Sequence, residues 1–171
     1  FINKIITLKR PLSNNVILYA INNDLPIRYI KYMIDNCKTH SNILFDILKN
    51  KRCNKTSDII KYLINVDIGF NYKDTKNKNV LHIACKKASN EIIIMLIQKK
   101  PSLINKKDHN GSTPWMVALC NKKIKAFMYM EKDVDVNRKN NKHSTIIHFL
   151  AMVGNYNVFA YMIDKYNLDV N

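Results

Sequence analysis

Four asparagines close four similar stretches of this 171-residue chain: Asn71, Asn105, Asn137 and Asn171. They stand 34, 32 and 34 residues apart (105−71, 137−105, 171−137). Between them the order of residue types recurs. A polar turn opens each stretch, two short apolar runs follow, and the copies end in Leu103-Ile104-Asn105, Val134-Asp135-Val136-Asn137 and Leu168-Asp169-Val170-Asn171. A fixed period of this size marks a stacked array, in which one unit cannot bury its apolar face alone and neighbours complete the core.

The apolar runs have helical spacing. In the copy after Asn71, Leu81 and Ala84 fall on one face, then Ile92, Ile93, Leu96 and Ile97 on another. In the next copy Thr113 is an N-cap residue and Pro114 a first-turn residue, so the helix start is written twice. In the last copy Ile146, Ile147 and Leu150 pair with Val158, Phe159, Met162 and Ile163, and Gly154 closes the first helix. One turn slot reads Asn77, Gly111, then His143, residue types that tolerate positive φ.

Residues Thr113-Pro114-Trp115-Met116-Val117-Ala118-Leu119, Asn79-Val80-Leu81-His82-Ile83-Ala84-Cys85 and Thr145-Ile146-Ile147-His148-Phe149-Leu150-Ala151 stand in register. Together they resemble the Thr-Pro-Leu-His-x-Ala-Ala signature of ankyrin-repeat proteins. The resemblance implies an all-α ankyrin-repeat solenoid of about five helix-turn-helix units, with units at 12–39, 40–72, 73–107, 108–139 and 140–171. Residues 1–11 read as a helical cap or the end of a preceding repeat. The first two units carry the period without the signature. Ser13 or Asn14 caps a helix bearing Ile17, Leu18, Ala20 and Ile21, and Pro26 opens a second with Ile27, Ile30, Met33 and Ile34. Then come Ile43, Leu44, Ile47 and Leu48, a polar loop 50–57, and a helix capped by Ser57 with Ile59, Ile60, Leu63 and Ile64. The fourth unit is two residues short. Trp115 stands where the family has leucine and is expected in an adjusted core. Ile94 is expected to face outward. Tyr19, Tyr29, Tyr32 and Tyr62, at helical spacings, are expected to pack in or beside the core.

Composition bounds the function classes. No apolar run approaches the ~18 residues of a membrane helix. Cys37, Cys53, Cys85 and Cys120 are too widely spaced for a zinc knuckle or redox pair, which points to a reducing, cytoplasmic setting. The chain opens at Phe1 without a methionine and stops where another turn is due, so it reads as a piece excised from a longer protein. Net charge is +15, from 28 basic and 13 acidic residues. Drift toward Lys, Asn, Ile and Tyr under A/T-rich coding accounts for much of it, yet the resulting field favours an acidic partner. Lysines spread over every unit disfavour nucleic acid, which calls for a clustered stripe.

Catalytic patterns are missing: no paired carboxylates at helical spacing, no Gly-rich phosphate loop, no nucleophile elbow. The resemblance gives His82 and His148 a structural role, hydrogen-bonding the turn of a neighbouring unit, and His40, His109 and His143 are turn residues. It further implies a non-enzymatic protein-protein interaction module, a monomer without cofactor or metal. Binding would use the turn tips and the ends of the first helices lining a concave groove. Those positions are Thr75, Lys76, Lys78, Lys86 and Lys87; then His109, Asn110, Ser112, Cys120 and Asn121; then Asn141, Lys142, Ser144, Met152 and Val153. The lysines of the first set, with Lys106 and Lys107 beside them, suit an acidic or phosphorylated protein or peptide. The alternative is a regulatory or substrate-recruiting domain of a larger enzyme, such as a membrane palmitoyltransferase.

Overall fold

The computed structural model describes residues 13–36, 42–50 and 56–169. The expected helix before Pro11, most of the 50–57 loop, His40, Cys37 and Cys53 lie outside these residues. Among the described residues there are ten α-helices and no strand, only an isolated antiparallel bridge between Lys73 and Asn79. The fold is all-α, built from helix pairs, and divides into two compact bodies, 1–72 and 73–171.

The first body holds α1 (Asn14–Asn22), α2 (Ile27–Asp35), α3 (Ile43–Lys49) and α4 (Ser57–Asn65). Helix α1 pairs with α2 and α3 with α4, while the second helices α2 and α4 pack on each other. Ile17, Ile30, Ile34, Leu44, Ile47, Ile60 and Leu63 fill the core. Polar rungs join positions 28 residues apart: Asn50 donates to Asn22 at 3.0 Å, and Asn14 donates to Asn42.

Four local expectations need correction. Ile27, expected in the buried stripe of α2 with Ile30, Met33 and Ile34, stands exposed on the first turn. Pro26 is the N-cap of α2 rather than its first residue, so its ring precedes a helix that begins at Ile27. Thr56, buried, occupies the N-cap of α4, and Ser57 is the first helical residue. Tyr19 and Tyr32 stand exposed rather than packed. In helices this short the buried stripe is already filled by isoleucine and methionine, and the tyrosines occupy the flanks. Tyr29 and Tyr62 are half-buried, under Arg28 at 4.8 Å and Lys31 at 4.9 Å respectively, as cation–π pairs.

The second body holds α5 (Val80–Lys87), α6 (Asn90–Lys99), α7 (Pro114–Cys120), α8 (Ile124–Met130), α9 (Ile146–Val153) and α10 (Tyr156–Tyr166). First helices stack on first helices, α5 on α7 and α7 on α9, and α6 packs on α8. The stripe expected from Leu81, Ala84, Ile92, Ile93, Leu96 and Ile97 is buried throughout. Trp115 is fully buried, edge-to-face with Phe149 at 6.0 Å, a core residue as its slot suggested. Ile94 is half-buried. The shortfall of the fourth unit falls in its second helix. Both second helices start 16 residues after the turn's first polar residue (90−74, 124−108), but α8 has 7 residues where α6 has 10.

The last pair is less enclosed. Ile146, Leu150 and Met162 are buried, whereas Ile147, Val158, Phe159 and Ile163 are only half-buried. Helix α10 is also held by polar contacts to the buried Glu131, which accepts from Lys165 Nζ at 3.0 Å and from the Tyr166 hydroxyl.

Candidate interaction surface

Each polar turn of the second body is closed by one side chain. Asp74 Oδ1 accepts the N–H groups of Lys76 (2.9 Å) and Lys78 (2.8 Å). Asp108 does so for Asn110 and Ser112, both at 2.9 Å, and Asn140 for Lys142 (3.0 Å) and Ser144 (2.9 Å). This Asx closure fixes the register 74, 108, 140. Three residues on, Asn77, Gly111 and His143 all have positive φ, 58°, 69° and 59°, as the turn slot required. Gly111 is also constrained by space: a Cβ there would stand 2.9 Å from the Asn141 backbone nitrogen.

The tips are knitted edge to edge. His109 N–H donates to Lys76 O at 2.9 Å and Asn141 N–H to Asn110 O at 3.0 Å, the same bond one unit later. Asn77 Nδ2 reaches Lys107 O, and Asn141 Nδ2 reaches His109 O, each at 2.9 Å. Behind the tips, His82 ties the units together. Its Nδ1 accepts the Asn79 N–H at 3.2 Å, and its Nε2 meets Ser112 O in the next turn at 3.0 Å. That pairing selects the tautomer with the proton on Nε2. Burial pushes the His82 pKa down, with the Ser112 hydrogen bond opposing it. His148 makes the equivalent Nδ1 contact with Thr145 N–H at 3.2 Å. Met116 occupies the same slot in the unit between. Its sulfur accepts Thr113 N–H at 3.4 Å.

The sequence-derived binding positions all lie on these tips and first-helix ends. Thr75, Lys76, Lys86, Lys87, His109, Asn110, Cys120, Asn141, Lys142 and Met152 are exposed; Lys78, Ser112, Asn121, Ser144 and Val153 are half-buried. Two of them already have structural work: Asn141 stitches adjacent tips, and Asn121 Nδ2 closes α7 on Val117 O at 2.7 Å. Position 73 of the turn register entered the sequence reading only through Lys107, named beside the first set. It holds Lys73, Lys107 and Lys139, all exposed. The signal was present in the sequence, because each lysine lies two residues after a closing asparagine. Among the described residues no cluster of three or more His, Cys, Asp or Glu side chains has metal-binding geometry, and no helix is long and apolar enough to cross a membrane.

Helix pairs with stacked Asx turns and an imidazole strut between units define a class of repeat protein built for side-by-side stacking. A family model described as ankyrin repeats (3 copies) matches residues 48–140. The chain belongs to the ankyrin-repeat family, whose units generally serve as protein–protein interaction modules. It is similar to a curated ankyrin repeat protein of Acanthamoeba polyphaga mimivirus, with 31% identity over 116 residues. That match covers 64% of this chain and 14% of the relative, so the matched stretch spans a small part of the relative's length.

Proposed function

We propose that this chain is a non-catalytic, monomeric recognition module, working in the cytoplasm, that binds an acidic or phosphorylated protein segment across its turn tips and first-helix ends. The supporting observation is the charge left open on that surface. Lys76, Lys78 and Lys86 make no ion pair among the described residues, and the nearby Asp74 and Asp108 are occupied in closing their turns. Opposite charge on a partner would gain both steering and register there. The free thiols Cys85 and Cys120 agree with a reducing compartment.

The test is capture of a partner from cell extract, its identification by mass spectrometry, and titration of the purified partner against wild type and a variant with Lys76, Lys78, Lys86 and Lys87 changed to Glu. Loss of at least tenfold in affinity by the variant supports the surface. Equal affinity of the two forms rejects it.

A further inference from the structure

The register set by Asp74, Asp108 and Asn140 places one lysine immediately before every turn of the second body. Lys73, Lys107 and Lys139 are exposed, and none is ion-paired among the described residues. The backbone bonds between tips and the Asn77 side chain on Lys107 O hold these positions at fixed intervals. We infer that Lys73, Lys107 and Lys139 form a row of ammonium groups that reads an extended acidic protein segment, one carboxylate per turn. The inference rests on the protein-binding reading above and specifies the geometry of what is bound.

Spacing decides the ligand's pattern. Packed helices stand roughly 8–10 Å apart, so successive turns repeat at about that interval. Extended chain advances about 3.3 Å per residue. A carboxylate about every third residue would therefore meet one lysine after another. Chemistry favours peptide over single-stranded nucleic acid. The tips between the lysines carry Thr75, Lys76, His109, Asn110 and Asn141, with no Tyr, Trp or Phe plane for a base to stack on. Arg138, which flanks Lys139, is already paired to Asp135 at 2.9 Å, whereas Lys139 and the neighbouring Lys142 make no ion pair among the described residues.

Two fluorescent peptides of equal length and charge test this, one with Glu at every third position and one with the same residues blocked at one end. Binding is followed by anisotropy with wild type, with K73E/K107E/K139E, and with K99E/K125E/K132E, which makes the same charge change on the second helices and the turn after α8. The expected result is tighter binding of the periodic peptide by wild type, weakened at least tenfold by the turn-lysine variant and less than threefold by the control. Equal losses in both variants, indifference to peptide pattern, or no binding by wild type overturns the inference. So does tighter binding of a single-stranded oligonucleotide of matched charge through the same lysines. These results leave the wider reading separately testable: a partner that still depends on Lys76, Lys78, Lys86 and Lys87 keeps that surface while the lysine row falls.

Discussion

His82 carries the link between two units on a single neutral ring. Its folded-state pKa is depressed by burial, while the unfolded chain titrates near the ordinary value of about 6.5. Below that value the unfolded state binds more protons than the folded one, so stability falls as pH drops. The His82 contribution is complete above about pH 6.5 and declines from there down to the lower folded-state pKa. Chemical denaturation at pH 7.5 and 5.5 should show a loss in wild type that is smaller in His82→Gln. An identical loss in both forms would assign the pH sensitivity to other groups. The converse substitution is equally informative. Met116 sits in the same slot, and Ser144 O, which corresponds to Ser112 O, takes only the Asn140 N–H, at 3.3 Å, among the described residues. Met116→His should supply the missing strut and add about 1 kcal/mol, raising Tm by roughly 2–4 °C. A lower Tm would mean that the core around α7 has no room for the ring.

At the scale of elements, α10 is the helix whose attachment is least apolar. Only Met162 is buried along it, and the carboxylate of Glu131 gathers Lys165 and Tyr166 from its last turns. Glu131→Ala removes the acceptor for both. Hydrogen exchange across Tyr156–Tyr166 should then accelerate, while α7, packed between α5 and α9, keeps its protection. Uniform acceleration would show that the array opens as one unit. The elements also show why some features were legible in advance. The turn slot was readable because only a few residue types accept positive φ, and Asn77, Gly111 and His143 are such residues. The role of His82 was readable because a motif carries its geometry, whereas the bonds of His148 among the described residues stay within its own unit. Tyr19 and Tyr32 were misread because a nine-residue helix gives too few turns to separate stripe from flank by spacing alone. The start of α2 moved by one residue because Pro26 has ψ 134°, outside the helical range, although proline is common at the first helical position. The lysine row was visible as the second residue after each closing asparagine, and the Asx hydrogen bonds show that this position immediately precedes every turn.

For the whole molecule, charge acts on folding and on binding with opposite sign. The chain carries +15, and its 13 acidic residues include Asp74 and Asp108, whose carboxylates are engaged by turn N–H groups. Like charges brought together by stacking repel, and that repulsion is weaker in the expanded unfolded chain. Added salt shortens the Debye length from about 30 Å at 0.01 M to about 8 Å at 0.15 M, which relieves the folded state more than the unfolded one. Tm should therefore rise between those two conditions by roughly 2–4 °C, the shift that about 1 kcal/mol produces in a chain of this size. Over the same range an acidic peptide held by the turn lysines should bind more weakly, because its attraction is screened by the same ions. Scanning fluorimetry and anisotropy on one salt series measure both. Stability and affinity moving in the same direction would place the excess charge outside both the packing and the recognition surface.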